Sequence, residues 1–468
     1  MKLRATVLAL LLAISHAHAA DEPQPNPDVT FHAKPKALPA GAVTENWEPF
    51  LGPRHDGTSL ETHTLKKFPE AGLSIVWEMK RGAGYASPAI SGDRLVYIHR
   101  IENDEVVECL QPETGARYWQ FKYATQYRDR YGYNNGPRCS PVIDGDRVYT
   151  FSAEGVLHCL NLKTGSVVWK LDVNTDYAVP PNFFGVGATP LIEGDLLIVN
   201  AGGSEHRGVV ALDKLTGKQR WACGDWGASY ASPVAADIHG KRRVLVFAGG
   251  DSNPPTGGLL CIDPASGAVD FTFPWRSKSY ESVNAVQPCV VGDQVFVTAS
   301  YGAGGALVNI TPEMKAEQAW SNGLFGVHFS TVMQRDGFLY GFDGRHTQNA
   351  FLTCFEIKSG KNPWRKQLIW QEPVELAGEK RLRQFGVGRG SLLPVEGQYL
   401  CLGETGELLR LELSEKGCVE VERSRLFEAS ETWSPMVLSH GLLYVAQNFR
   451  DAHAQTGLRL ICYDFRGE

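Results

Sequence analysis

Residues 45–468 predict an all-β fold: an eight-bladed β-propeller of four-stranded antiparallel blades. Three observations predict it. First, CLQPETGARYW (109–119), CLNLKTGSVVW (159–169), ALDKLTGKQRW (211–221), CIDPASGAVDF (261–271) and CFEIKSGKNPW (354–364) each set an aromatic ten positions after the first residue, with Thr-Gly or Ser-Gly between. Second, a small polar residue and proline precede an apolar hairpin in YASPAISGDRLVYI, RCSPVIDGDRVYTF, GATPLIEGDLLIVN and YASPVAADIHGKRRVLVF. Looser copies (VQPCVVGDQVFVTA, STVMQRDGFLYGF, GSLLPVEGQYLCLG and WSPMVLSHGLLYVA) bring the units to eight. Third, the repeat period of about 43–60 residues is that of propellers and solenoids, and helical periodicity is almost absent.

Lys2 and Arg4, the apolar run Ala5–Ile14 and Ala17-His18-Ala19 read as a cleavable signal peptide over 1–19. The apolar run falls short of the roughly 20 residues of a spanning helix. The first cysteine is Cys109, so no lipid-anchoring cysteine follows the cleavage site. The expectation is a periplasmic or secreted protein without a transmembrane anchor. Residues 20–44, rich in Pro, Ala and charge, are expected to be a flexible leader.

Within a unit, an apolar run, a Gly-Asp turn (92–93, 194–195, 292–293, and DGDR at 144–147) and an alternating run make a hairpin. A third strand such as VLHCLNL follows, then a turn such as Lys163-Thr164-Gly165 in which Gly takes the left-handed conformation, then a fourth strand such as SVVWKLDV. Pro88, Pro141, Pro190, Pro233, Pro288 and Pro435 fit the innermost strand, an edge where no ladder donor is needed. The last unit stops at LRLICYDFRGE with no fourth strand, while LSIVWEMK (73–80) has no partners of its own. Joining them completes the eighth blade and removes free edges.

Trp77, Trp119, Trp169, Trp221, Phe271, Trp320 and Trp364 then occupy one position per blade, and the seventh unit departs with Val421. Side chains recurring around a ring cannot all reach one substrate. They are expected to fill the gaps between blades, each indole N–H satisfied by nearby backbone. Cys109, Cys159, Cys261, Cys354 and Cys462 share one repeat position. They therefore lie beyond the ~7 Å reach of a disulfide and act as small buried hydrophobes. Cys139, Cys223, Cys289, Cys401 and Cys418 leave room for one bridge, and no CxxC occurs.

The pattern A/C-x-D-x-x-T/S-G-x-x-x-W resembles the tryptophan-docking repeat of the pyrroloquinoline-quinone (PQQ)-like propellers, which include quinoprotein alcohol dehydrogenases and the BamB lipoprotein of outer-membrane assembly. The resemblance covers roughly 45–468, and NWEPFLGPRHDGTS (46–59) is similar to the lead-in of exported bacterial members. It implies the fold, and for the dehydrogenases a quinone held with calcium under an adjacent Cys-Cys disulfide. No two cysteines are neighbours here, and no calcium set or catalytic Asp maps onto the chain.

A site is expected where the connections between blades gather around the channel mouth. These connections bring Tyr85, Tyr133, Asn134, Arg138, Phe183, Tyr230, Asn284, His328, Arg389 and Trp433 close to the inner strands. Aromatic faces with Asn and Arg donors suit a planar, anionic or sugar-like ligand. Three functions compete. The first is a non-enzymatic binding or scaffold module taking a protein, glycan or small ligand. The second is a PQQ-dependent oxidoreductase with Arg138 or Arg389 on the cofactor's carboxylates. The third is a polysaccharide hydrolase or lyase using Glu281 and Glu431. No catalytic or metal-binding residue is singled out. His206, His346 and His453 lie in separate loops and read as surface residues. The net charge of −6 gives no footprint for nucleic acid, and a monomer is expected.

Overall fold

The computed structural model describes residues 22–376 and 379–467; the expected signal peptide lies outside them. Seven sheets of four consecutive antiparallel strands form blades 1 to 7 (89–124, 142–172, 191–223, 234–274, 289–322, 333–366 and 391–425). The eighth carries Val437–Ser439, Leu442–Gln447 and Arg459–Asp464 from the C-terminus, and Ile75–Lys80 from the N-terminal region closes it. Trp77 pairs with Cys462, as the two incomplete ends of the repeat required.

Two segments differ from expectation. Within 20–44, Val29–Phe31 adds a fifth strand outside Ile75–Lys80, pairing Val29 with Met79 and Phe31 with Trp77. The leader is thus tied down on the outer edge of blade 8. The stretch 381–391, read as a plain connection, instead begins inside a separate hairpin of Ile369–Leu376 and Glu379–Gly386. Its Glu372 pairs with Arg425 at 2.7 Å, and the guanidiniums of Arg423 and Arg425 lie over the rings of Trp370 and Phe385. These contacts hold the hairpin against the outer strand of blade 7.

The repeated aromatics close the ring. A register shift just before Trp119, Trp169, Trp221, Phe271 and Trp77 marks a bulge that re-aims the side chain toward the next blade. There the indole N–H donates to a backbone carbonyl: Trp77 to Pro112 (2.7 Å), Trp119 to Leu162 (2.8 Å), Trp169 to Lys214 (3.1 Å), Trp221 to Pro264 (2.8 Å), Trp320 to Ile357 and Trp364 to Ser414 (both 2.7 Å). For Trp77, Trp119, Trp169, Trp221 and Trp320 the ring lies flat on the glycine of that blade's Thr-Gly or Ser-Gly turn, whereas the blade 7 turn that Trp364 meets has no glycine against the ring. Gly165 has φ +70°, and a Cβ there would sit 2.6 Å from Trp119. Gly is thus required twice, by the turn and by the docked ring.

Two gaps are closed otherwise. Phe271 faces a turn where Met314 replaces the glycine (φ 58°), and the two side chains share one apolar cluster. The smaller phenyl leaves room for a thioether. Between blades 7 and 8 the third and fourth strands pair as far as Ser414 and Gly417, and this longer hairpin moves the inward position from Val421 to Glu422. Glu422, not Val421, pairs with Arg410 in the register that pairs Trp169 with Cys159, and Val421 is 46% exposed. Buried Arg410 pairs with half-buried Glu422 at 2.8 Å, with the guanidinium over Phe68.

The Ser/Thr-Pro signature serves the inner rim. Five of the six prolines stand immediately before an inner strand, and the preceding residues link neighbouring blades. Ser87 N donates to the Ser140 hydroxyl (2.9 Å), Ser140 N to Thr189 (3.1 Å) and Thr189 N to Ser232 (3.0 Å). All ten cysteines are free, including the five considered for a bridge.

The lead-in segment crosses the channel. Trp47 exchanges two backbone hydrogen bonds with Ile90 of blade 1, and Ile143 N of blade 2 reaches Glu48 O at 3.0 Å. Ser59 N bonds Pro394 O of blade 7 at 2.9 Å, and the Gln287 amide, beside blade 5, donates to His55 O. Arg54 locks the loop on itself with a two-pronged pair to Glu45, both distances 2.7 Å. The channel is closed at this end.

Candidate functional site

Closing one end turns the channel into a cup of about 790 Å³ that opens on the face of the inter-blade connections. Its floor is Trp47, Phe50 and Leu51. The volume lies in the range of small-ligand pockets, which are mostly apolar with a few placed polar groups.

One wall is a run of aromatic rings in mutual contact. Trp433 packs against Tyr85 (centroids 5.3 Å apart), Phe329 (5.3 Å) and Tyr133 (5.8 Å). Tyr133 meets Phe184 at 5.6 Å, and Phe184 meets Tyr230 at 5.7 Å. Phe184 N donates to the Tyr230 hydroxyl oxygen at 2.7 Å, which fixes this loop against the ring. At the rim Tyr131 is 51% and Tyr280 70% exposed. Glu431 is placed by strained backbone, φ 57°, with its carbonyl accepting from Asn448 and Trp433 at 2.7 Å each. That turn delivers both Glu431 and Trp433 to the cup.

Arg389, Glu404, Arg138 and Glu431 of the cup already have protein partners, whereas Arg345 lies over the Tyr301 ring, 4.2 Å from its centroid. The Arg389 Nε and Nη2 donate to Glu404 Oε1 (3.0 and 2.7 Å), its backbone N to Oε2 (2.7 Å), and the Trp433 indole to Oε1 (2.6 Å). Burial pushes the Glu404 carboxyl up, but the Arg389 guanidinium outweighs it and leaves the group below the usual range. The remaining Arg389 Nη1 reaches Arg345 O (2.9 Å) and His328 Nδ1 (3.2 Å). A donor at Nδ1 assigns the His328 proton to Nε2, which faces the Tyr301 oxygen at 3.4 Å. Burial, then Arg389 and Arg345, hold the imidazole down at about 3, so it is neutral at pH 7. Arg138 donates to buried Asp129 at 2.9 Å and to the carbonyls of Asn134 (2.9 Å) and Gly136. Glu431 accepts from the Tyr85 hydroxyl at 2.6 Å; burial raises its carboxyl despite that bond.

Of the residues singled out in the sequence, Tyr85, Tyr133, Arg138, Phe183, Tyr230, His328, Arg389 and Trp433 line the cup. Asn284 does not. It is buried, and its amide donates to Ala248 O (2.8 Å) and Trp275 O (3.2 Å), holding its own connection in place. Asn134 shapes its loop, accepting from Gly136 N at 3.1 Å. Glu281 and Glu431 both line the cup, on connections three blades apart. The sequence reading missed Tyr131, Phe184 and Phe329, and also Tyr301, Arg345 and Glu404. The last three stand at the turns between second and third strands, which open on the same face as the inter-blade connections. That geometry was the available signal. His346 also lines the cup, whereas His206 pairs with Asp225 (2.8 Å) and His453 with Glu428 (2.7 Å).

Fold and cup together define an eight-bladed, tryptophan-docked propeller with a floored ligand-sized cavity. A family model described as outer membrane protein assembly factor BamB matches residues 103–366, more than half of the chain, and the chain belongs to this family of PQQ-like repeat propellers. It is 24% identical over 460 residues to a quinoprotein ethanol dehydrogenase of Pseudomonas aeruginosa, covering 87% of this chain and 66% of that protein. It is also 24% identical over 271 residues to an outer membrane protein assembly factor BamB of Burkholderia pseudomallei, covering 50% of this chain and 67% of that one. The chain thus spans about two thirds of each of these relatives. Among solved structures, the quinohemoprotein alcohol dehydrogenase of Comamonas testosteroni superposes with a TM-score of 0.60 at 12% identity, over 92% of this chain and 82% of that one.

The dehydrogenase relatives raise the question of a metal-held quinone. The residues of the cup do not fit one. Among the described residues no three His, Cys, Asp or Glu side chains converge. Glu404 is spent on Arg389 and Trp433, and the donors of Arg138 and Arg389 that would meet the quinone's carboxylates already serve protein oxygens. No helix among the described residues is long and apolar enough to cross a membrane.

Proposed function

We propose that the protein is an exported, non-catalytic binding module whose cup takes a neutral ligand with flat faces, best matched by the sugar rings of a glycan. One observation carries this reading: the aromatic faces of the cup are open, while two of its three arginines, Arg389 and Arg138, are neutralised internally by Glu404 and Asp129 and the third, Arg345, covers the Tyr301 ring. Open aromatic faces stack on the apolar faces of sugar rings, and spent arginines offer little to an anion. Hydroxyls of Ser330, Thr331, Thr347 and Ser391 line the same cavity to meet a ligand's own hydroxyls, and the Ser391 oxygen has no protein partner. The test is calorimetric titration with malto-, cello- and chito-oligosaccharides of about two to four rings, the size such a cavity admits. The expected result is binding by at least one series that Trp433→Ala abolishes. Equal binding by that variant would contradict the reading.

A protein segment entering the cup is a second reading, favoured by the exposed rim of Tyr131, Tyr133 and Tyr280. Titration with PQQ and Ca²⁺ addresses the dehydrogenase alternative, in which a bound quinone would appear as a spectral change.

A further inference from the structure

Four arginines are buried among the described residues: Arg81, Arg100, Arg410 and Arg466. Arg410 and Arg466 have carboxylate partners, Glu422 at 2.8 Å and Glu113 at 2.5 Å. Arg81 and Arg100 have neutral oxygens only. The Arg81 guanidinium donates to Asn448 Oδ1 (2.8 Å), Gly84 O (2.5 Å) and Gly82 O (3.1 Å). That of Arg100 donates to Glu102 O (2.8 Å), Tyr127 O (2.7 Å) and Asn135 O (3.1 Å), and its Nη2 has no partner. A buried guanidinium without a counter-charge is costly, so an exception to pairing asks for an explanation.

Both exceptions line one depression, about 690 Å³, at the seam where the N-terminal strand of blade 8 meets blade 1. Exposed Lys80 and Arg128 stand at its rim. Arg128 bonds only Tyr127 O (3.0 Å) and Asn103 Oδ1 (3.1 Å). Against these four cations the lining offers two acids, Glu102 and Asp28, and Asp28 already pairs with Arg117 at 3.2 Å. Glu105 and Glu154, the acids nearest Arg100 beyond the lining, are spent elsewhere. Glu105 accepts from Tyr123 (2.6 Å), and Glu154 from Thr125 (2.8 Å) and Gln126. Gly82 makes the close packing feasible: a Cβ there would lie 1.7 Å from Arg100 O. The loop bearing Arg128 and Asn135 also carries Tyr133 and Arg138 into the cup, so the two cavities share one loop.

We infer that this seam is a second binding site, for a multivalent phosphoryl anion, with Lys80 and Arg128 making contact and Arg81 and Arg100 supplying buried positive potential. Two or more cations with fork-shaped donors match phosphoryl oxygens better than any neutral ligand. The anion could be free or a phospholipid headgroup, and the experiment separates the two. Inorganic pyrophosphate is titrated calorimetrically into the full chain, and flotation is run with phosphatidylglycerol vesicles and with phosphatidylcholine vesicles.

Pyrophosphate binding that weakens at least about tenfold in K80A/R128A, with the ligand-free thermal midpoint unchanged, is the expected result. Both positions are exposed, so this variant folds where Arg81 or Arg100 replacements risk the seam itself. Trp433→Ala should leave the pyrophosphate affinity intact, separating this site from the cup. Flotation with phosphatidylglycerol only, lost in the same double variant, would assign the anion to a headgroup. No binding of pyrophosphate or anionic vesicles, or binding indifferent to K80A/R128A, would overturn the inference.

Discussion

The molecule carries two sets of aromatic side chains that differ in how their surroundings repeat. In the outer set, Trp77, Trp119, Trp169, Trp221, Trp320 and Trp364 each meet a turn of the next blade and a backbone carbonyl. In the inner set nothing repeats: Trp433 donates to a carboxylate, Tyr85 donates to another, and Tyr230 accepts from a neighbouring backbone N–H. Repetition marks residues that build the ring, and its loss marks those free to specialise.

The largest expected effect belongs to the outer set. Trp169→Ala removes the filling of one inter-blade gap and should cost about 3–5 kcal/mol in denaturant unfolding. Oligosaccharide affinity in the folded fraction should be unchanged. The seam without a tryptophan should behave alike by a different mechanism. Glu422→Gln leaves Arg410 buried without its counter-charge and should cost about 3 kcal/mol or more, measured the same way. An effect below about 1 kcal/mol would mean that the pair is solvated like an ordinary surface bridge.

A pH titration comes next. Burial, followed by Lys170, holds His158 down at about 4 against an ordinary 6.5, between Phe121 and Tyr123. The folded state favours the neutral ring, so this contribution is full above pH 6.5 and is lost as pH falls toward 4. His328, held at about 3 in the cup, acts in the same sense over a window reaching lower. His158→Gln should flatten the decline in stability between pH 6.5 and 4 by up to about 3 kcal/mol. The smallest effect on stability belongs to the inner set: Trp433→Ala, at a half-buried rim position, should cost about 1 kcal/mol in unfolding while abolishing oligosaccharide binding.

The repeat made the ring legible. The bulge, the glycine and the aromatic recur at fixed spacing, so closure of blade 8 by Trp77 beside Cys462 could be read before any coordinates. Exceptions broke the spacing. Val421 was placed by counting, and the longer hairpin of blade 7 moved the inward role to Glu422. The partnership of Phe271 with Met314 is a contact between blades, invisible within one repeat. Most of the cup's wall was legible because aromatics cluster in the connections. Its floor was not, since nothing local in NWEPFLGPRHDGTS reveals that it crosses the channel. Nor could the sequence show that Arg138 and Arg389 are spent on Asp129 and Glu404, so it left a planar, an anionic and a sugar-like ligand equally open.

Hydrogen exchange, with and without the tightest-binding oligosaccharide, tests the division of labour between the two sets most directly. Slowed exchange in 127–138, 323–331 and 429–435, with the outer strand Val167–Asp172 unchanged, is the predicted result. Protection on the outer strands with the cup's loops unaffected would contradict it.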